Sequence, residues 1–248
     1  MKRSIKDLKE YSVKAKDGTE GKVKDFLFDE EAWVIRYLHA DFGSWWKSKK
    51  VLIPRVFLND PQWKDEVFPV EITKDMIDKG PDIDEHMPVS REYEAELMKY
   101  YNLDPYWPYT YSAPTGGAMF FPPRPLGVPP KSVSEDELKT SLRSFKEIRG
   151  YHIKTKEEKL GHVDDLIVDD EDWQIVYMVV EFTSWLTTSK KVLISIEWLE
   201  EISYVDQEIV ISMTPEKLKK APQYDPNLVL NKEEEKKLHD FYSWGMTK

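Results

Sequence analysis

The chain has 248 residues, of which 40% are hydrophobic and 13% aromatic, with a formal net charge of −10 and no cysteine. That hydrophobic share excludes global disorder, and the lack of cysteine excludes disulfides, thiolate catalysis and zinc–thiolate centres together. The acidic balance disfavours binding over a broad phosphate backbone or an anionic lipid surface, because like charges repel.

Ser4-Ile-Lys-Asp7 places a capping residue three positions before an acid and predicts one short helical turn. Tyr11–Ala15 reads as a strand, Asp17-Gly18 as a tight turn, and Lys22–Phe28 as a second strand with a bulge near Asp25. Asp29–Ala32 makes an acidic turn. Trp33–Ala40 follows as a third strand, with Trp33, Ile35, Tyr37 and His39 on one face. A loop containing Trp45-Trp46 precedes a short buried strand, Lys50–Pro54, and Val67–Ile72 closes the unit. Thr73 caps a short helix, Lys74–Lys79, which Pro81 breaks. Ser90 caps a longer helix, Arg91–Asn102.

Composition changes at Asp104–Ser134, which holds half of the 16 prolines and six aromatic residues, among them Trp107, Phe120 and Phe121. It reads as an extended, semi-rigid linker, part of which packs on a domain. Ser134-Glu-Asp-Glu137 is a capping box that starts a helix at Glu135.

The same order of residues then returns. Gly21, Val23, Asp25, Asp29 and Trp33 match Gly161, Val163, Asp165, Asp169 and Trp173 in constant register. Ser144 matches Ser4, Tyr151 matches Tyr11, Trp185 matches Trp45, and Val192-Leu-Ile194 matches Val51-Leu-Ile53 after one residue of slip. Thr214 before Pro215 caps a helix as Thr73 does, and Asn231 with Glu234 caps a final one. A correspondence this long is a duplicated domain. The expected organisation is a first repeat over 1–103, a linker over 104–134 and a second repeat over 135–248. Short strands with turn signals, closed by helices, point to small β-barrels. The expected class is mainly β with helices, as two tandem small β-barrels, each followed by short helices.

The acidic turns lack the alternating Asp pattern of a calcium loop and read as solvated hairpin turns. Asp25 and Asp165 lie inside strands and are expected to bond a nearby turn, since buried charges need partners. The five histidines show no metal-ligand spacing, and no phosphate-loop, dinucleotide or hydrolase motif occurs. No catalytic residue, metal ligand or cofactor is therefore expected, and no enzyme. Aromatic residues in loops can anchor a partner or plug a barrel end. The candidate partner-binding residues are Trp45, Trp46, Trp185, Trp107, Phe120 and Phe121.

Asp17-Gly18-x-x-Gly21-Lys-Val23-x-Asp25-Phe-Leu-Phe-Asp29, Trp33-x-Ile35-Arg36-Tyr37 and Val51-Leu-Ile53 together resemble the PRC-barrel family. Thr73, Ile77, Pro81 and Pro88-Val-Ser-Arg-x-Tyr93-Glu94 extend the resemblance. The family includes the cytoplasmic barrel of the photosynthetic reaction centre H subunit and the C-terminal barrel of a ribosome-maturation factor. The second repeat drifts from the pattern: Asp17-Gly18 becomes Glu157-Glu158, Arg36 becomes Val176, and Pro88-Val-Ser-Arg becomes Pro226-Asn-Leu-Val.

The resemblance implies a module that docks a protein partner within a larger assembly. No apolar run reaches the roughly 18 residues of a membrane-spanning helix, and Met1–Glu10 is too charged for a signal peptide. The expected location is cytoplasmic, peripheral to a membrane complex if the H-subunit likeness extends that far. No nucleic acid and no direct membrane insertion are expected, and dimerisation through corresponding surfaces stays open. The competing reading is a small-ligand sensor or enzyme with a cleft between the barrels.

Overall fold

The computed structural model describes residues 1–43, 48–83, 89–107, 140–182, 190–226, 230 and 232–243. In the first half these form β1 (Lys2–Ser4), α1 (Ile5–Leu8), β2 (Ser12–Ala15), β3 (Glu20–Asp29), β4 (Val34–Asp41), β5 (Lys50–Pro54), β6 (Val67–Val70), α2 (Lys74–Lys79) and α3 (Arg91–Tyr100). The second half gives β7 (Leu142–Ser144), α4 (Phe145–Ile148), β8 (His152–Lys154), β9 (Lys159–Asp169), β10 (Ile175–Phe182), β11 (Lys190–Ser195), β12 (Leu199–Ser203), β13 (Glu208–Ile211), α5 (Pro215–Lys220) and α6 (Lys232–Ser243). The protein is mainly β, as two mixed sheets with short helices after each. The helix expected at Glu135 and the cap at Asn231 lie outside the described residues.

The expected caps form. Ser4, Thr73, Ser90, Ser144 and Thr214 each accept a backbone N–H from the first turn of their helix. The expected bulge is also present, as a register shift between Val23 and Asp25 where β3 meets β4.

The sheets do not follow the two halves of the chain. The order of the first is β5-β4-β3-β2-β6, and β7 from the second half adds to β3. The order of the second is β11-β10-β9-β8-β13-β12, and β1 from the first half adds to β9. Leu27–Asp29 pairs with Leu142–Ser144, and Ile167–Asp169 pairs with Lys2–Ser4. The two repeats therefore trade their opening strands. Each short helix follows its strand across, so α1 packs on β9 and α4 on β3. Ile5, Leu8, Phe145 and Ile148 are buried by this exchange. Neither strand was expected from the sequence, because three residues carry no readable alternation.

Trp33 and Trp173 differ from expectation in one respect. Each is the last residue of its acidic turn, with φ of 51° and 64°, rather than the first residue of a strand. The left-handed region is unfavourable for a bulky side chain. Here it is held by reciprocal bonds: Ile175 N donates to Trp33 O at 2.7 Å, and Ile35 N donates to Trp173 O at 2.9 Å. Val34 and Gln174 bridge between those bonds, at the centre of the quasi-twofold. Trp173 then enters the first repeat's core, with its ring 6.2 Å from Phe26 and 5.8 Å from Phe68. Burial of both strand faces follows from this back-to-back packing. Tyr37, Leu38 and Ala40 are successive or alternate residues of β4, and all are fully enclosed.

Candidate functional site

Two groups of polar side chains are built into this frame. The first is the seam between the repeats. Ser144 Oγ donates to Asp25, which also accepts from Lys146 N at 3.2 Å. The mirror arrangement has Ser4 Oγ donating to Asp165, with Lys6 N at 3.0 Å. Both aspartates are buried. Each does bond a turn, as expected, but it is the capped turn of the other repeat. Burial pushes Asp25 above the usual carboxylate range against the pull of Ser144, Lys9 and the Phe26 and Lys146 N–H groups. It pushes Asp165 up to about 6, against Ser4 and the N–H groups of Lys6 and Leu166.

Charged residues close the seam's rim in the same symmetric way. Arg3 pairs with Asp170 at 2.9 Å, and Arg143 pairs with Glu30 at 2.7 Å. Arg3 also lies 3.8 Å over the Trp63 ring, and Arg143 lies 4.1 Å over Tyr204. Stacked guanidiniums are less hydrated than ammonium groups, which suits them to a half-buried rim.

The second group is centred on Glu94 of α3, which is fully buried. Its Oε1 accepts Tyr106 Oη at 2.7 Å and Tyr37 Oη at 3.2 Å. Its Oε2 accepts Arg91 Nη1 at 3.0 Å and Thr140 Oγ1 at 3.1 Å. Burial raises the Glu94 carboxyl above its ordinary value, although Tyr106, Arg91, Thr140 and Tyr37 all favour the charged form. A buried carboxylate surrounded by four donors has the partners that burial demands. Arg36 stacks over Tyr106 at 4.2 Å, and Arg91 stacks over Trp107 at 4.3 Å. Tyr106 and Trp107 meet edge to face at 4.9 Å.

This cluster has a topological meaning. Tyr106 is close to where the Pro-rich stretch begins, and Thr140 is just past its end. Both are bonded to the one carboxylate, so residues on either side of the Pro-rich stretch of sequence meet at one point on the first repeat. Glu94 was not singled out from the sequence as a site. A lone acid among the apolar positions of an amphipathic helix was the available signal.

Of the sequence candidates, Trp107 is placed here, half-buried under Arg91. Trp45, Trp46, Trp185, Phe120 and Phe121 lie outside the described residues. An open depression lined by Lys191, Gln223, Tyr224, Asp225 and Pro226 lies on the second repeat. Among the described residues no three His, Asp or Glu side chains gather as a metal site. None of the helices among them is long and apolar enough to cross a membrane.

Comparison with known proteins agrees with this geometry. The model of the PRC-barrel domain matches residues 2–77 and again residues 142–218. A search of curated proteins finds no match. The two matches cover more than half of the chain and coincide with the two interlocked sheets, and the chain accordingly belongs to the PRC-barrel family, with the domain present in tandem.

Proposed function

We propose that the protein is a non-enzymatic docking module that holds a protein partner within a larger assembly. The observation that supports this most is the bonding of Tyr106 and Thr140, on either side of the Pro-rich stretch of sequence, to Glu94. One carboxylate, bonded to Tyr106, Tyr37, Arg91 and Thr140, ties residues on either side of a Pro- and aromatic-rich stretch of sequence to the barrel. Such anchoring lowers the conformational entropy a recognition segment loses on binding. Its aromatic residues, with Trp45 and Trp46, are the contact residues we assign to the partner, since aromatic anchors dominate binding energy. The likeness to the reaction-centre H subunit supports a cytoplasmic location beside a membrane complex.

The test is affinity capture from native cells, with soluble and membrane fractions kept apart. A partner held by the unaltered chain should be lost with W45A/W46A or with F120A/F121A, while circular dichroism stays unchanged. Retention of the partner by both variants would overturn the assignment of these aromatics. Absence of any stoichiometric partner would overturn the docking reading itself.

A further inference from the structure

The duplication lets one repeat serve as a reference for the other. On β9, Asp164 gathers three cations: Lys191 Nζ at 2.5 Å, Lys6 Nζ at 2.9 Å and Arg149 at 3.8 Å. Lys191 comes from β11, Lys6 from the exchanged α1, and Arg149 follows α4. Burial acts to raise the Asp164 carboxyl, but Lys191 and Lys6 hold it below the usual range.

The corresponding positions of the first repeat hold Lys24 for Asp164, Lys50 for Lys191, Lys146 for Lys6 and Lys9 for Arg149. Lys22 also stands where the second repeat has His162. The cations are kept and the carboxylate they close on is replaced by a further cation. Register and contacts keep these side chains together. Lys22 pairs with Asp41 across β3 and β4, and Asp41 pairs with Lys50 across β4 and β5. Lys24 Nζ lies 3.8 Å from Asp41, and Lys9 Nζ lies 3.9 Å from Asp25, whose other side receives Lys146 N. Lys22, Lys24 and Lys146 are exposed. No ion pair of Lys22 or Lys146 occurs among the described residues.

We propose that this lysine face of the first repeat is a docking site for the carboxylates of an acidic segment of a partner protein. The proposal rests on the docking reading above and narrows the partner's chemistry. The second repeat supplies the precedent, because there the matching cations close on an aspartate. Size argues in the same direction. Charge is screened over about 8 Å at physiological salt, so a short acidic segment meets only the local lysines. A polyanion such as DNA, or an anionic bilayer, also meets the rest of a chain with net charge −10. The face borders the β4–β5 connection, whose sequence carries Trp45 and Trp46.

The test is fluorescence anisotropy of a labelled oligoglutamate peptide titrated with the full chain. Saturable binding that weakens as salt rises is expected. K24D restores the carboxylate of the second repeat and should cut affinity at least about tenfold, with the melting temperature confirming the fold. K22A/K146A provides a second, independent loss should K24D not fold. The proposal is overturned if the wild type does not bind, or if both variants bind like it. It is also overturned if phosphatidylserine vesicles or polyphosphate bind more tightly than the peptide. If K24D abolishes peptide binding yet keeps the captured partner, this inference fails for that partner while the docking reading stands.

Discussion

Ser144 donates its hydroxyl to Asp25 across 119 positions of sequence, and in the same geometry it caps α4 by accepting Glu147 N at 3.2 Å. One hydroxyl thus ties the start of the second repeat to the first sheet while shaping its own helix. Ser4 does the same toward Asp165, while accepting Asp7 N at 3.0 Å.

Removing either aspartate leaves a half-buried hydroxyl and a backbone N–H without an acceptor. D25A and D165A should each cost about 2–4 kcal/mol, from roughly 1–3 kcal/mol for the orphaned N–H and about 1 kcal/mol for the half-exposed hydroxyl. Urea unfolding measures the loss. Hydrogen exchange locates it: D25A should speed exchange at residues 142–148 and D165A at residues 2–8, each in the repeat that was not altered.

The pH dependence follows from the Asp165 carboxyl being pushed up to about 6 by burial. Its value in the unfolded chain is about 3.9. The folded state therefore binds this proton more tightly than the unfolded state does. Its stabilising contribution is complete below about pH 4, declines between about 4 and 6, and is gone above that. At about 1.4 kcal/mol per unit the decline amounts to roughly 3 kcal/mol. In D165N the side chain does not titrate. The stability of D165N relative to wild type should then rise by up to about 3 kcal/mol between pH 4 and 7. Denaturation midpoints across that range decide it, and a difference flat in pH would contradict the shift.

Glu94 joins α3 to Tyr37 of β4, Tyr106 and Thr140. E94A strands Arg91 and the buried Tyr37 hydroxyl, at an expected cost of about 3–5 kcal/mol, as when one partner of a buried pair is removed. E94Q keeps one acceptor and should cost less. Limited proteolysis is the more specific readout: cleavage near Tyr106 and near Thr140 should rise together in E94A, because a single carboxylate holds both.

Gly161 and Gly21 keep their register in the duplication for a steric reason. A Cβ at Gly161 would stand 2.3 Å from the Glu181 carbonyl oxygen, and at Gly21 it would stand 2.7 Å from the Phe42 ring and 2.9 Å from the Asp41 oxygen. At Gly21 the Phe42 ring can turn aside and the Asp41 oxygen at 2.9 Å needs only a small shift, whereas at Gly161 the paired strand itself would have to move much further. G161A should cost about 3 kcal/mol and G21A nearer 1, the upper and lower ends of overpacking. Thermal melts of the two variants measure the difference.

The elements with local signals were readable in the sequence. Ser4, Thr73, Ser90, Ser144 and Thr214 cap helices because a side-chain oxygen and the following turn suffice to define the motif. The duplication and the bulge before Asp25 were readable from spacing. The strands Lys2–Ser4 and Leu142–Ser144 were not, since their partners lie far away in the chain and three residues carry no period. Trp173 reads as a strand residue by composition, and only the reciprocal bonds to Ile35 and Ile175 explain its left-handed turn. Asp25 and Asp165 were recognised as needing partners, but neighbours in sequence could not supply them. The Glu94 cluster was missed because its donors come from four separate segments.

The traded strands also set an order of events during synthesis. Leu27, Phe28 and Asp29 leave the ribosome long before Leu142, Arg143 and Ser144, the residues that cover their edge. At about 5–20 residues per second this edge stays open for several seconds or more. An open edge is a template for any matching strand. On a crowded messenger the nearest match is the same segment of a neighbouring nascent chain, so the pairing that makes one molecule self-contained can equally link two.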